Sequence, residues 1–200
     1  MRRIYGIVLA AGHSSRMGSP KPLLEAGGET LVEGAVRALA GGGCAAVLVV
    51  VRDASAPEAA LASAAGARVV VSDAPGAEQV DSLRRALDVL PGDAGAAIVL
   101  PVDHPGVSGA TVAAVVEAWR AREAPIVRPV HDGVPGHPTL FDQRLFGELR
   151  APELPEGART VVAHHEGEAE DVSVADAAVA RDVDTPEELG AARARLRGRR

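Results

Sequence analysis

The chain alternates short apolar runs with segments of helical periodicity through its first two thirds. Four apolar runs, at residues 4–9, 46–51, 69–71 and 97–100, are short and rich in β-branched residues and predict strands. Each run is almost continuously apolar rather than alternating between apolar and polar positions. Such runs are typical of strands that are covered on both faces, as in a parallel sheet.

Helical periodicity fills the segments between these strands. The clearest example begins at Thr30, whose hydroxyl can accept the Glu33 N–H while the Glu33 carboxylate reaches back, and an apolar stripe follows up to the glycines at 41–43. Further helices are predicted at 56–65, 80–90 and 109–122. The alternation of strands and helices predicts an α/β fold, a doubly wound three-layer sandwich with right-handed crossovers.

The pattern becomes less regular after Ala124. Residues 125–130 and 138–141 are predicted to be extended around a turn at Asp132-Gly133, and short helices are expected near 142–149 and 158–164. Strands are predicted near 172–174 and 178–181, before a last helix that begins with a capping box at Thr185 and has Pro186 at its first position. Without a repeat or a linker, residues 1–200 are expected to form one domain, with 125–200 as a substrate lobe on the same sheet.

Composition narrows the classes of function. The 200 residues carry 27 acidic and 21 basic side chains, a formal net charge of −6, and only four aromatic residues. An acidic chain without aromatic stacking platforms is not expected to bind nucleic acid. The cluster of arginines at 193–200 is interpreted as a helix C-terminus, where cations complement the dipole.

The single cysteine and the lack of long apolar stretches limit the kinds of site and the cellular location that we expect. Cys44 alone excludes an internal disulfide, a cysteine-based zinc site and an iron–sulfur cluster. No apolar stretch approaches the ~18 residues of a membrane helix. Residues 1–11 imitate a short signal peptide, but a glycine-rich basic loop follows in place of a cleavage site. We expect a cytoplasmic protein that does not associate with membranes.

Candidate chemistry is concentrated in the loop after the first strand, at the sheet edge where open α/β sheets bind ligands. The small residues Ala10 to Gly12 allow close backbone approach, serines follow, and two cations, Arg16 and Lys21, lie in the same loop. This combination suits a triphosphate. The spacing matches neither a Walker A loop nor the dinucleotide pattern G-x-G-x-x-G. The alternative is a solvated loop whose charges are incidental.

Residues 9–23 follow the pattern L-A-A-G-x-S-S-R-M-G-x-x-K-x-L. This pattern resembles the N-terminal signature of the molybdenum cofactor nucleotidyltransferases, the relatives of molybdopterin guanylyl- and cytidylyltransferase. The segment 101–105, P-V-D-H-P, resembles their metal-binding Asp-x-Pro. The segments 136–141, 157–159 and 182–189 resemble three later motifs of the cytidylyltransferase branch. The resemblance therefore extends over nearly the whole chain.

The resemblance implies a Rossmann-like sheet of the glycosyltransferase-A type and a Mg²⁺-dependent transfer of a nucleotide. Residues 1–124 then form the nucleotide-binding half, and residues 125–200 form the acceptor side with the C-terminal helix. Arg16 and Lys21 are the implied catalytic residues, and Asp103 and Asp184 are the implied metal ligands. Asp182 is a rival to Asp184 that spacing cannot exclude. The implied contacts with the nucleotide are Leu9, Ala10, Ala11, Gly12, Ser14, Ser15, Arg16, Lys21 and Ser82.

One segment departs from the family pattern. Where the cytidylyltransferase branch has a glycine and a run of serines, this chain reads E-Q-V-D-S-L at 78–83, and Ser82 is the only serine there. The resemblance assigns this segment to the base or ribose, so the preference for CTP over GTP is the weakest inference. His137, in the later lobe, is a candidate for contact with the acceptor; the alternative is a loop histidine that only bonds to backbone.

The implied reaction moves CMP from CTP to molybdopterin carrying molybdenum, and a client molybdoenzyme or chaperone is a possible partner. Two alternatives stay open at this point. One is a nucleotidyltransferase for another acceptor, such as a sugar phosphate or phospholactate. The other is a module that binds nucleotide or pterin without turnover. The presence of Lys21 together with both acidic residues argues against the second alternative.

Overall fold

A computed structural model describes residues 2–12, 17–73 and 79–198. The strands are β1 Arg3–Leu9, β2 Glu25–Ala26, β3 Glu29–Thr30, β4 Ala46–Val51, β5 Arg68–Val71, β6 Ala94–Pro101, β7 Ile126–His131, β8 Val134–Pro135, β9 Thr139–Asp142 and β10 Glu170–Ser173. The helices are α1 Leu31–Gly41, α2 Pro57–Ala64, α3 Gln79–Asp88, α4 Gly109–Arg122, α5 Phe146–Leu149, α6 Ala158–His164 and α7 Pro186–Arg197.

The main sheet has the strand order β10-β7-β9-β6-β1-β4-β5, and β8 forms a hairpin with β7. Strand β1 is parallel to β4 and β6, β4 is parallel to β5, and β7 is parallel to β10. Strand β9 is antiparallel to both of its neighbours, β6 and β7. The carboxyl ends of β1, β4, β5 and β6 therefore meet at one edge of the sheet.

Helices cover both faces of this sheet. In β1, Val8 packs into a core formed with α1, α2, α4 and α7, whereas Ile7 packs into a core formed with α3, α5 and α6. Both side chains are fully buried. Because successive residues of a strand point to opposite faces, nearly continuous apolar strands produce these two cores. The predicted α/β three-layer fold around a mostly parallel sheet is confirmed.

The early elements follow the sequence pattern closely. The capping box at the start of α1 is formed: the Thr30 backbone N–H donates to Glu33 Oε2 at 2.9 Å, and Glu33 N–H donates to Thr30 Oγ1 at 3.4 Å. The second capping box, at Thr185 before α7, is formed as well. The small hairpin of β2 and β3 and the short strand β8 were not anticipated from the sequence.

One predicted strand, at 178–181, is wrong. Residues Ala177–Ala180 form a 3-10 helix that begins at the buried Asp176. The Asp176 carboxylate accepts the Ala178 N–H at 3.3 Å and also accepts Ser108 N–H and Thr111 Oγ1 from the start of α4, each at 2.9 Å. This buried carboxylate caps two turns at once, and the local side-chain hydrogen bonds override the apolar pattern that suggested a strand.

Two later boundaries also differ from the sequence pattern. Strand β9 extends to Asp142, and the predicted helix at 142–149 is a 3-10 turn at Gln143–Leu145 followed by α5. Asp142 is buried and accepts Trp119 Nε1–H at 3.0 Å and Arg144 N–H at 3.1 Å. Its carboxylate ends the strand and starts the turn.

A histidine–glutamate contact joins α5 to the end of α6. His165 contacts Glu148 through Nε2 at 2.8 Å and Glu168 through Nδ1 at 3.1 Å. These hydrogen bonds, that with Glu148 first, raise the pKa of His165 above its ordinary value of 6.5. A raised pKa in the folded state stabilises the fold below the unfolded pKa, and this stabilisation is lost as pH rises through the folded pKa.

We therefore expect His165→Gln to destabilise the protein more at pH 6 than at pH 8.5. The difference should be about 0.2–1 kcal/mol, the range for partly solvated ion pairs. Urea unfolding of both proteins at the two pH values measures it. Glu148→Gln serves as the matched variant. In a protein that already carries Glu148→Gln, the pH-dependent loss of stability caused by His165→Gln should be mostly absent. An equal loss at both pH values would contradict the ionic contact.

Candidate functional site

Three charged side chains from distant parts of the chain meet at the carboxyl edge of the sheet. Lys21 begins the 3-10 helix Lys21–Leu23, in the segment that follows β1. Asp103 lies two residues beyond the end of β6, and Asp184 precedes the cap residue of α7. Lys21 Nζ donates to Asp103 Oδ2 at 3.1 Å and also to Asp184 Oδ1. One ammonium group therefore lies between two carboxylates.

Within this cluster, Lys21 and Asp103 favour the ionised form of each other. Burial alone would lower the pKa of Lys21, but the hydrogen bond to Asp184 and the charge of Asp103 raise it above 10.5. Burial alone would raise the pKa of Asp103, but the contacts with His104 and Lys21 lower it to about 2. At neutral pH the site is an ammonium ion flanked by two carboxylates.

The start of α7 sets the position of Asp184. Its backbone N–H donates to Glu188 Oε2 at 2.7 Å, and the same oxygen accepts Thr185 N–H at 2.9 Å. The neighbouring Val183 and Leu189 are buried in the core on the same face of the sheet as α1. A cap that the core anchors therefore carries the acidic side chain to Lys21. Asp182, the rival position, instead lines a neighbouring cavity.

Two histidines connect this cluster with the later lobe. His104 Nδ1 lies 3.0 Å from Asp103 Oδ1, and the His104 ring meets the His137 ring edge to face, with centroids 4.7 Å apart. Burial, followed by the charge of His104, lowers the pKa of His137 to about 4. His137 is therefore a neutral imidazole at neutral pH.

A close backbone approach positions His137. Its N–H donates to the Val179 carbonyl at 2.8 Å. A Cβ on the preceding Gly136 would lie 2.1 Å from that same carbonyl oxygen, so only glycine fits there. The 3-10 helix that replaces the predicted strand thus presents the carbonyl that holds the histidine loop.

The histidines border a cavity of about 870 Å³ between the sheet edge and the later lobe. Apolar side chains from the sheet, α3 and α6 line it, among them Phe141, Leu83 and Val162. Arg128, Arg159, Glu156 and Asp182 supply charged groups. A cavity with apolar walls and a few polar groups is typical of a site for a small organic molecule.

The predicted phosphate loop is described in part. Leu9 lines the cavity, whereas Ala10 and Ala11 are buried and the Ala10 N–H donates to the Val50 carbonyl at 3.0 Å. Gly12 is exposed. The Ala10 N–H is therefore already used in the sheet. It is not available as a hydrogen-bond donor to a ligand phosphate. Ser14, Ser15 and Arg16 lie outside the described residues.

Ser82 does not reach the cavity surface. It is 4% exposed in the first turns of α3, and Gln79, Val80 and Leu83 of that helix line the cavity instead. The helix turns the serine toward the protein interior. Contact between Ser82 and a nucleotide stays a prediction, and Gln79 is the polar side chain of this helix with direct access.

Sequence reasoning missed the role of Arg52, which follows β4 at the same edge. Its Nε donates to the Ala11 carbonyl at 2.5 Å and so ties the end of β4 to the start of the phosphate loop. The signal in the sequence was a cation directly after a strand. His104 was likewise recognised as part of the Asp103 motif without its contact to the carboxylate being foreseen.

Cys44 gives no sign of nucleophilic chemistry. Burial raises the pKa of its thiol to about 12, so the thiolate is absent at neutral pH.

No helix in the described parts of the chain is long and apolar enough to cross a bilayer.

The donor set of Asp103 and Asp184 fits a hard divalent cation. Mg²⁺ usually takes one or two carboxylates and completes its shell with water and phosphate oxygens. The two carboxylates already share one cation, the ammonium of Lys21. Within residues 2–12, 17–73 and 79–198, no cluster of three or more His, Cys, Asp or Glu side chains is arranged to hold a metal ion. A nucleotide phosphate would have to supply the remaining ligands.

A family model described as a MobA-like NTP transferase domain matches residues 6–171. The chain belongs to this family. The MobA-like domain is of the nucleotidyltransferase type, and the match extends from β1 into β10, so it includes the phosphate loop, Asp103 and the histidine loop. The last contributor to the cluster, Asp184, lies beyond the matched residues.

Relatives of this MobA-like domain include proteins with different names. It is 29% identical over 198 residues to nicotine blue oxidoreductase from Paenarthrobacter nicotinovorans, covering 93% of this chain and 94% of that protein. Rv0371c from Mycobacterium tuberculosis H37Rv has a similar structure, with a TM-score of 0.81 and 28% identity over 96% of this chain and 97% of that one. That protein has also been solved in complex with manganese.

A nucleotidyl transferase from Methanothermobacter thermautotroptrophicus has the same fold. Its TM-score is 0.84 at 19% identity, with 100% of both chains covered. At this level of identity the likeness concerns the fold only. The three-layer α/β fold described above is therefore also the fold of a nucleotidyltransferase.

The geometry predicts which of the two late aspartates responds to a metal with a nucleotide. Mg²⁺ with CTP should raise the melting temperature of the wild type, because a ligand that binds only the folded state stabilises it. Asp184→Asn should lose most of this rise, since its carboxylate shares the Lys21 ammonium, and Asp182→Asn should keep it. Thermal shift with and without Mg²⁺ measures both. The reverse pattern would assign the metal to Asp182.

Proposed function

We propose that this MobA-like domain transfers CMP from CTP to a phosphorylated acceptor, with release of pyrophosphate. The observation that carries the proposal is the Lys21 ammonium held between Asp103 and Asp184, in the segment following the glycine-containing loop. These groups have complementary tasks in transferring a nucleotide. The ammonium can neutralise phosphate oxygens, and the carboxylates can bind a cation that the triphosphate brings with it.

The chemistry is a displacement at the α-phosphorus. A phosphate oxygen of the acceptor forms a bond to the α-phosphorus while the bond to the bridging oxygen of the leaving pyrophosphate breaks, and that oxygen takes the electron pair. A phosphate monoester has a second pKa near ~6, so its oxygen is already ionised at neutral pH. No side chain has to act as a general base, and positioning with charge neutralisation supplies the rate enhancement.

Each residue of the cluster has a role in this scheme. Lys21, together with Arg16, holds the triphosphate and neutralises the charge that develops on the leaving pyrophosphate. Asp103 and Asp184 hold Mg²⁺, which withdraws charge from the phosphate oxygens when it is bound. The manganese complex of the structurally similar Rv0371c supports a divalent cation at this site. With a metal held by the two carboxylates, the Lys21 ammonium would be available to the phosphates instead of bridging Asp103 and Asp184.

Molybdopterin carrying molybdenum is the proposed acceptor, and a client molybdoenzyme or chaperone is the proposed protein partner. The motifs at 136–141, 157–159 and 182–189 support this choice, because they resemble the cytidylyltransferase branch. His137 borders the cavity as a neutral imidazole whose ring contacts the Thr139 hydroxyl and the Val99 backbone, so it can contact the acceptor without adding charge. A sugar phosphate or phospholactate is the alternative acceptor for the same reaction, and GTP is the alternative nucleotide.

The relationship to nicotine blue oxidoreductase favours a second candidate function, an oxidoreductase reaction in the same cavity. The alignment covers nearly the full length of both proteins. The Lys21 cluster favours nucleotidyl transfer over this candidate, since an ammonium between two carboxylates suits phosphates and a metal rather than a hydride donor.

The decisive experiment measures pyrophosphate release with each of the four nucleoside triphosphates, with and without molybdopterin, at fixed Mg²⁺. Release with CTP that depends on molybdopterin is the expected result. Parallel arms with phospholactate and a sugar phosphate test the alternative acceptors. Oxidation of NADH or NADPH in the presence of nicotine blue tests the oxidoreductase. No release with any pair of substrates would contradict nucleotidyl transfer.

Lys21→Ala should reduce turnover by about 10²–10³, the scale for removing one preorganised electrostatic contact. Removing the ammonium leaves Asp103 and Asp184 facing each other, so the variant should also gain stability from added Mg²⁺ more than the wild type does. Steady-state kinetics and thermal shift measure the two effects. Full activity in a folded variant would remove Lys21 from the mechanism.

A further inference from the structure

The cavity of about 870 Å³ that His137 borders, here called the acceptor cavity, is lined by two arginines. The guanidinium of one is paired with carboxylates, and that of the other, among the described residues, is not. Arg128 is 12% exposed and donates to Asp171 through Nε at 2.6 Å and to Glu166 through Nη1 at 3.0 Å and Nη2 at 2.6 Å. Two carboxylates therefore neutralise its guanidinium. Arg159 lines the same cavity and is exposed, and no ion pair or side-chain hydrogen bond joins it to any residue in the described ranges.

The position of Arg159 is nevertheless well defined. It is the second residue of α6, and its N–H donates to the Glu156 carbonyl at 3.3 Å, while the Glu156 N–H donates to Thr160 Oγ1 at 3.1 Å. A Cβ on Gly157 would lie 3.2 Å from Val80 Cβ, so the start of α6 packs closely against α3. The backbone that carries Arg159 is fixed at the wall of the cavity, whereas its guanidinium keeps its donors for a ligand.

The surroundings of Arg159 indicate directed recognition rather than a general attraction for anions. The cavity also contains the carboxylates of Glu156 and Asp182, so Arg159 is not part of a broad basic patch. The charge of Arg159 also contributes to lowering the pKa of His137, after burial and His104, which places the guanidinium within electrostatic reach of the histidine pair. That pair contacts Asp103 and so connects the cavity to the proposed metal site.

We infer that Arg159 is the anion anchor of the acceptor cavity and binds the phosphate monoester group of the acceptor. The planar guanidinium matches a phosphate bidentately, and Asp182 accepts hydrogen bonds from hydroxyl or amino groups on the same molecule. The acceptor class is thus a small phosphate monoester that carries hydrogen-bond donors and packs an apolar portion against Val80, Leu83 and Val162. The inference rests on the proposed function and adds to it the group that selects the acceptor.

Isothermal titration of the full chain with glycerol 3-phosphate tests this anchor. The protein is first saturated with Mg²⁺ and α,β-methylene CTP, so that the phosphate loop is filled before the probe is added. Arg159→Gln should weaken the binding of glycerol 3-phosphate by about 10- to 100-fold, the loss expected for a hydrogen bond between charged partners. The affinity of Arg159→Lys for glycerol 3-phosphate should lie between those of the wild type and Arg159→Gln, because lysine keeps the charge and loses the bidentate geometry.

Arg181→Gln is the matched control, since Arg181 is also an exposed arginine close in sequence to Asp182 and does not line the cavity. It should bind glycerol 3-phosphate as the wild type does, and glycerol without phosphate should not discriminate among the variants. Wild-type affinity in Arg159→Gln, or no binding of glycerol 3-phosphate to the wild type, would overturn the inference.

The initial titration with the nucleotide analogue separates this inference from the proposed function. If the analogue does not bind, nucleotidyl transfer fails, and the arginine variants are then compared on the nucleotide-free protein. A weaker phosphate affinity of Arg159→Gln in that comparison would leave Arg159 as an anion anchor of another activity. An unchanged affinity would reject both claims.

Discussion

The shared ammonium of Lys21 is the contact on which the arrangement of this site depends. It joins the loop after β1, the end of β6 and the start of α7, which are far apart in sequence. Two carboxylates that contact the same ammonium lie close enough to repel each other, and the positive charge of Lys21 offsets this repulsion. Lys21 fills this position. We propose that Mg²⁺ takes this position when a triphosphate is bound.

Other parts of the fold bring the side chains of the site together. The parallel strands bring Asp103 and the phosphate loop to one edge, as open α/β sheets do. The capping box of α7 and the buried Val183 bring Asp184 to the same point. The buried Asp176 caps a 3-10 helix, and that helix presents the carbonyl that holds His137 beside His104. Capping contacts outside the site, exposed at α7 and buried at Asp176, therefore help to determine where its side chains lie.

Sequence patterns predicted the early part of the molecule better than the late part. Apolar runs and the Thr30 capping box are local signals, so β1, α1, β4 and β6 could be read directly. The antiparallel position of β9 depends on its pairing with β6 and β7, and the 3-10 helix at 177–180 depends on Asp176, which also contacts the start of α4. A local pattern contains no information about such partners. The contrast between Arg128 and Arg159 was invisible for the same reason. The position of Arg52 directly after β4 showed a cation at the sheet edge, but not its partner, the Ala11 carbonyl.

The burial of Ser82 illustrates a different limit. Its segment departs from the family pattern, and only the place of that segment in the chain suggested contact with the nucleotide. The orientation of α3 turns Ser82 inward and presents Gln79 to the cavity. A motif match gives the identity of a residue and its position along the chain, whereas the rotation of a helix decides which side chain meets the ligand. Asp184 differs from Ser82, because it lies in a motif and also contacts Lys21 at the sheet edge, while its role as a metal ligand stays a prediction.

The most direct test of the central claim is a crystal structure of this chain with Mn²⁺ and α,β-methylene CTP, with the metal located by its anomalous scattering. The account predicts Mn²⁺ bound by both Asp103 and Asp184, with the Lys21 ammonium moved from the carboxylates onto the phosphates. A metal bound elsewhere, or Lys21 still bridging the two carboxylates beside a bound nucleotide, would contradict it.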